Sequence, residues 1–338
     1  MTINIKESFC FDDLLLKPCH SDIKSRSEIN LEVSFKKSGL LFNHPIVPAN
    51  MKSIIGLNLA KANLASGGLT LLHRFMSHDE QLDLYRDLEY KFSHIGISIG
   101  VKEYDKELVK QFINMSGYII CIDIAHGDSK HCMDMICWIK NYFPQTFVIA
   151  GNIATREAAA RLWHAGADMV KSSVGGGSVC STRIETGNGV PTLSAIMEIA
   201  EYKRNKPLLK NKYIMADGGL RNAGDCVKSL CFADMIMAGN IFAGCPEAPG
   251  EIIVRNGKSY KKYEGSSTLK NNHIEGVSGL VPCKPPFKDI VNKLLQGISS
   301  GCSYQGCRNL SELKENPEFI KISGAGLKES HPHDLEIL

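Results

Sequence analysis

Short apolar runs rich in β-branched residues recur along the chain, at Pro45–Ala49, Gly68–His73, Ile95–Gly100, Tyr118–Asp123, Thr146–Asn152, Asp168–Ser172, Lys212–Asp217 and Asp234–Gly239. Seven of the eight are hydrophobic at nearly every position instead of alternating, the pattern of parallel strands buried on both faces. Between them, Asn58–Ser66, Arg156–Ala165 and Asp225–Phe232 carry apolar residues at three- and four-residue spacing, which predicts helices. Successive strands start roughly 22 to 28 residues apart, about the length of one βα unit. The sixth interval, from Asp168 to Lys212, is much longer, so the loop after the sixth strand is enlarged. Eight such units predict an α/β fold, a closed (β/α)8 TIM barrel forming a single domain over residues 1–338. The alternative, a doubly wound open sheet, would carry a phosphate loop after its first strand. Here that strand runs into Pro48-Ala49-Asn50-Met51, and no G-x-G-x-x-G follows any strand.

Composition adds constraints. Hydrophobic residues make up 43% and charged residues 22% of the 338, enough apolar surface for a large core and too much for disorder. Lys+Arg 39 against Asp+Glu 36 leaves a net charge of +3, too small to predict a nucleic-acid or membrane partner. Met1 to Phe11 has no long apolar stretch, so no signal peptide is expected, and no run is long enough to span a bilayer. The 12 cysteines show no C-x-x-C pair, which favours reduced thiols over a disulfide or zinc framework.

In a barrel of this kind, chemistry collects on the loops that follow the strands. Those positions hold Asn50-Met51, His73-Arg74, Asp123-Ile124-Ala125-His126-Gly127, Gly151-Asn152, Gly175–Gly189, Asp217-Gly218-Gly219 and Gly239-Asn240. Glycine after a strand is often only a turn, but seven polar or glycine-rich ends exceed what turns alone require. The turns after strands seven and eight suit a phosphate held on backbone N–H groups, with Asp217 available to ribose hydroxyls. In the enlarged loop, Gly175-Gly176-Gly177 precedes Ser178-Val179-Cys180-Ser181-Thr182-Arg183. A flexible loop of that composition can present a thiol, and Arg183 with the loop amides would favour the Cys180 thiolate as nucleophile.

That loop resembles the active-site loop of the IMP dehydrogenase / GMP reductase family, in which glycines, Ser, Cys, x, Thr and Arg occur in this order. The resemblance extends through Phe11-Asp12-Asp13-Leu14-Leu15-Leu16, Lys24-Ser25-Arg26-Ser27, Pro48-Ala49-Asn50-Met51, Ile122–Gly127, Ala150-Gly151-Asn152, Asp217-Gly218-Gly219, Glu247–Glu251 and Ser323–Asp334. It implies a thioimidate between Cys180 and carbon 2 of a purine nucleotide. The dehydrogenase oxidises IMP with NAD and hydrolyses the adduct to XMP, using an Arg-Tyr pair on a mobile flap as its base. The reductase displaces ammonia from GMP and takes hydride from NADPH.

Here the base-binding loop matches Tyr263-Glu264-Gly265-Ser266-Ser267 and the following Glu-Gly matches Glu275-Gly276. Only Thr268-Leu269-Lys270-Asn271-Asn272-His273-Ile274 lie between them, with no Arg-Tyr pair. The paired CBS regulatory modules typical of the dehydrogenase are also missing from the sequence. The resemblance therefore implies a GMP reductase in purine nucleotide salvage, with Thr182 and Glu275 handling the proton of ammonia release. A short IMP dehydrogenase and a non-catalytic nucleotide-binding homologue are the alternatives.

By the same resemblance, Asn50, Met51, Ser178, Asp217, Gly218, Gly219, Gly239, Asn240, Tyr263, Gly265, Ser266 and Ser267 would bind the nucleotide, and Asp123 and Asn152 the cofactor, NADPH or alternatively NAD. A mobile loop at about 173–190 and a tail at about 322–338 are expected. Gly175, Gly177 and Cys180 would share a K+ with Glu329, Ser330 and His331 of a neighbouring subunit, which implies a cytoplasmic homotetramer with no nucleic-acid or membrane partner. Gly176 stands where the family has proline, Ser173 where it has glycine, Thr192 where it has glutamine and Ser266 where it has methionine.

Overall fold

A computed structural model describes residues 5–89, 94–265 and 276–333. Each apolar run becomes a strand: β1 (Ile46–Pro48), β2 (Thr70–Leu72), β3 (Ile95–Ile99), β4 (Ile119–Asp123), β5 (Phe147–Ile153), β6 (Met169–Ser172), β7 (Tyr213–Asp217) and β8 (Met235–Ala238). All are parallel, in the order β1-β8-β7-β6-β5-β4-β3-β2. The two ends of that ladder lie side by side, which closes the sheet into a barrel. Ile97, Ile120, Val148, Val170, Ile214 and Ile236 are all 0% exposed, which is why the runs do not alternate. Each such side chain contributes about 1.5–3 kcal/mol by leaving water.

A helix follows every strand: α1 (Leu57–Ala65), α2 (His78–Glu89), α3 (Asp105–Asn114), α4 (Lys130–Tyr142), α5 (Arg156–Ala165), α6 (Thr192–Arg204), α7 (Ala223–Leu230) and α8 (Phe287–Tyr304). Helix α5 matches its predicted bounds because both ends are marked. The Thr155 hydroxyl accepts from the Ala158 N–H at 3.2 Å, and Gly166 ends the helix in the left-handed region. Helix α7 starts two residues before its prediction, because the Asn222 side chain caps it by accepting from the Asp225 N–H at 2.9 Å. The predicted stop at Phe232 gives way to an end at Leu230. Among the described residues no helix is long and apolar enough to cross a membrane.

The N-terminal ends of the strands form the barrel floor. A hairpin of Val33–Phe35 and Leu40–Phe42 inserts Phe35 there, its ring 5.3 Å from Phe147 and 4.2 Å from Tyr213. Asp168 and Asp234, each just before a strand, tie the floor together. Their carboxylates accept from the Val148 N–H (2.9 Å) and the Ile214 N–H (2.8 Å). At the opposite end, a three-stranded antiparallel sheet of Ile252–Arg255, Lys258–Glu264 and Ser278–Pro282 rises beside the loop after β8. The strand periodicity gave no sign of this sheet, which is largely exposed and short.

Candidate active site

The C-terminal ends of the strands surround a cavity of about 260 Å3. Its floor is an ion network built on three strands. Lys171 of β6 places its ammonium 2.8 Å from Asp123 Oδ1 of β4 and 2.8 Å from Asp217 Oδ2 of β7. Asn152, at the end of β5, donates to the same Asp217 oxygen at 2.8 Å. Arg74 donates from Nε to the Asp123 carbonyl at 2.8 Å. Lys171 is only 3% exposed. Burial opposes its charge, but the Asp123 and Asp217 carboxylates outweigh that cost and hold its pKa above the ordinary lysine value. The network fixes where each carboxylate points, and strand geometry leaves it little freedom.

In the turn after β7, Gly218 and Gly219 both have left-handed backbones, with φ of 86° and 80°. A Cβ on Gly219 would lie 3.3 Å from the Phe11 ring, so the turn packs directly on the N-terminal segment. That segment is braced in turn: Asp12 Oδ2 receives Arg221 Nη1 at 2.8 Å, and the Lys228 ammonium donates to the Phe11 carbonyl at 2.6 Å. The Phe11-Asp12-Asp13 motif therefore supports the turn that follows β7. Gly239 is the other close approach, since a Cβ there would fall 2.6 Å from the Tyr263 hydroxyl. Lys284 donates to the Asn240 and Ile241 carbonyls and anchors that turn from below.

The enlarged loop lies over this floor. Cys180 is half-buried and its thiol reaches the Thr182 hydroxyl oxygen at 3.2 Å. Its N–H donates to the Gly177 carbonyl at 3.1 Å, which curls the glycine stretch under the sulfur. Thr182 begins a short helical turn, Thr182–Thr186. Arg183 has a structural role that the sequence did not suggest. Its guanidinium donates to the Val190 carbonyl at 2.7 Å and the Val174 carbonyl at 3.4 Å, clasping the two ends of the loop where Val174 and Val190 pair. Gly175 and Gly189 leave room for it, since a Cβ at either would come within 2.4 or 2.5 Å of Arg183 Cγ.

Three of the unusual residues of this loop touch one another. The Ser173 and Thr192 hydroxyls are hydrogen-bonded at 3.2 Å. Gly176 sits against both, for a Cβ there would meet Thr192 Oγ1 at 2.3 Å and Ser173 Oγ at 2.6 Å. The hydroxyl pair occupies the space that a proline ring at 176 would need. These three positions therefore pack as one contact.

Asn50, Met51, Asp123, Asn152, Gly175, Gly177, Ser178, Cys180, Thr182, Asp217, Gly218, Gly219, Gly239, Asn240, Tyr263 and Gly265 all line the cavity. Ser266, Ser267 and Glu275 lie outside the described residues. Glu329, Ser330 and His331 are exposed and do not line it. The helix Gly324–Glu329, which ends just before Ser330 and His331, packs on the Phe11–Asp13 turn of its own chain. One chain therefore does not bring the two halves of the expected cation site together. Reading loop ends alone missed Lys171, which lies inside a strand; a lysine within the buried run Met169–Ser172 was the available signal.

A family model described as the IMP dehydrogenase / GMP reductase domain matches residues 8–333. The chain is 38% identical over 314 residues to a GMP reductase of Clostridium acetobutylicum, covering 90% of this chain and 93% of the relative. It is 33% identical over 400 aligned positions to an inosine-5'-monophosphate dehydrogenase of Borreliella burgdorferi, covering 98% of each. An inosine-5'-monophosphate dehydrogenase of Aquifex aeolicus is 42% identical over 261 residues, 72% of this chain but 52% of that relative.

Proposed function

Within the IMP dehydrogenase / GMP reductase family, to which this oxidoreductase chain belongs, we propose that it is a GMP reductase that converts GMP to IMP and ammonia with NADPH. The observation that carries the reading is the segment between Ser267 and Glu275, which holds no Arg-Tyr pair to activate water. GMP reductases such as the Clostridium relative, matched over nearly their whole length, support it.

The phosphate of GMP sits on the N–H groups of the Gly218-Gly219 and Gly239-Asn240 turns with the Ser178 hydroxyl, and Asp217 accepts from the ribose. Tyr263, Gly265, Ser266 and Ser267 frame the base, with Asn50 and Met51 beneath it. Cys180 Sγ adds to carbon 2, and the amino group leaves as ammonia with a proton delivered by Thr182 and Glu275. Asp123 and Asn152 would hold a reduced nicotinamide, which when bound would supply the hydride for carbon 2. The carbon–sulfur bond then breaks, releasing IMP and the Cys180 thiolate. Lys171 keeps Asp123 and Asp217 aimed, so that ribose and nicotinamide are positioned by one ion network.

The carbonyl oxygens of Gly175, Gly177 and Cys180 suit a hard cation such as K+. The Gly177 carbonyl keeps a second lone pair beside its bond to the Cys180 N–H. Glu329, Ser330 and His331 of a neighbouring copy would complete the shell in a homotetramer. The loop packing of Ser173, Gly176 and Thr192 favours a working site over a non-catalytic homologue.

A second reading, a short IMP dehydrogenase, is favoured by the Borreliella relative matched over 98% of both chains. Absorbance at 340 nm decides between them. GMP with NADPH should consume NADPH and release stoichiometric ammonia, whereas NADH appearing from IMP and NAD together with XMP would overturn the proposal. Silence in both assays with nucleotide binding retained would leave only the non-catalytic homologue.

A further inference from the structure

At the barrel floor, opposite the catalytic mouth, a second cavity of about 470 Å3 opens between the Val33–Phe35 hairpin, the segment after α6 and the residues that follow α8. Lys36, Lys203, Lys210 and Lys314 line it, against only Glu32 and Asp234. Asp234 is already committed. It receives Lys314 at 2.6 Å, Lys203 at 3.6 Å and the Ile214 N–H at 2.8 Å. Glu32 is turned to Asn30, accepting from its side-chain amide at 3.0 Å. Lys36 and Lys210 form no ion pair among the described residues. Ser34, Asn211 and Ser311 add neutral hydrogen-bonding groups to the same wall.

The local sequence concentrates the charge. Lys203, Arg204, Lys206, Lys210 and Lys212 fall within one short segment of a chain whose net charge is only +3. Lys36 and Lys210 add their charges to a concave wall on which Lys203 and Lys314 already share one carboxylate, and like charges along such a wall repel one another and focus a positive field. A multiply charged anion relieves that repulsion, and lysine is a common phosphate partner as a point charge.

We propose that this floor cavity is a binding site for a polyphosphorylated small molecule, read through its phosphate chain by Lys36, Lys210, Lys203 and Lys314. No residue of this cavity lines the catalytic one. The site is therefore separate from the mouth whichever nucleotide the mouth accepts.

Calorimetric titration with inorganic tripolyphosphate, with GMP and IMP each added in excess to fill the mouth, tests it. Saturable binding of one equivalent per chain is expected, weakening at least about tenfold in Lys36→Ala/Lys210→Ala as two charge-assisted contacts are lost. Both lysines are exposed, so the variant should unfold at the wild-type temperature. ATP should bind within about threefold of tripolyphosphate, because the phosphate chain carries the recognition. Competition by GMP, non-saturating binding, ATP binding without tripolyphosphate binding, or an unchanged affinity in the double variant would each overturn the proposal. If the alanine variant shifts the unfolding temperature, Lys210→Gln alone serves as the second test, with a smaller loss expected.

Discussion

The floor of the catalytic cavity and the loop above it are built on opposite principles. Asp123, Asn152, Lys171 and Asp217 stand on four adjacent parallel strands, with Asn152 at the one register shift, between Gly151 and Ile153. Their positions follow from the barrel, and the buried ammonium between two carboxylates holds their orientation. Cys180 instead rides on a loop closed by one bridge, Val174 to Val190, and by the Arg183 clasp. A site that must bind a nucleotide precisely and also form and break a covalent bond benefits from this division. On the proposed mechanism the frame would orient the substrate, and the loop would bring the reactive atom and withdraw it.

The sharpest test of the division is Cys180→Ala. Turnover should fall roughly 10³-fold or more, while GMP affinity stays within about tenfold, since the frame keeps its contacts. Retained turnover would show that the loop does not carry the chemistry. Lys171→Met should act on the frame, leaving two partly buried carboxylates without their cation at a cost of about 1–3 kcal/mol in urea unfolding. Adding Asp217→Asn should recover part of that loss; no recovery would mean the network is not the source of the cost.

His44 tests the frame through pH. It is 1% exposed at the entry to β1, accepts the Ile46 N–H on Nδ1 at 3.3 Å and meets the Ser66 hydroxyl through Nε2 at 2.9 Å. Burial lowers its pKa from 6.5 to about 4, so the folded protein keeps it neutral. Between those values the unfolded chain binds more protons. Stability is full above pH 6.5 and declines toward pH 4, by up to about 3 kcal/mol from this group. Denaturant unfolding at pH 7 and pH 5 should show the slope, and His44→Gln should flatten it. His73, which burial also lowers to about 4, would retain its share.

The smallest effect belongs to the clasp. Arg183→Met should lower kcat about tenfold, by freeing both ends of the loop, and leave the unfolding midpoint unchanged. A large fall in stability would move Arg183 from the loop into the frame.

The eight strands were legible because parallel strands buried on both faces write themselves as uninterrupted apolar runs. Tyr213–Asp217 and Met235–Ala238 fall wholly inside their predicted segments. The enlarged loop was legible as spacing, and the catalytic side as the accumulation of polar ends. Three features were not legible. Lys171 looks like an intruder in a strand until Asp123 and Asp217 are placed on either side of it. Arg183, read as a neighbour of the thiol, donates to the Val174 and Val190 carbonyls, which lie at the two ends of the loop. Ser173, Gly176 and Thr192 read as three separate departures, although they pack as one.

The sequence by itself determined the barrel, its order of strands and the loop that bears Cys180, because these depend on periodicity and on neighbours close along the chain. The tertiary structure alone decided which charges meet. Lys171 and Asp217 are separated by the whole enlarged loop and α6, yet β6 and β7 pair directly and set them 2.8 Å apart. Likewise Lys36 and Lys210 reach one wall only because the hairpin caps the floor where α6 ends. Electrostatic energy depends on distance through space, and closing the barrel is what sets those distances.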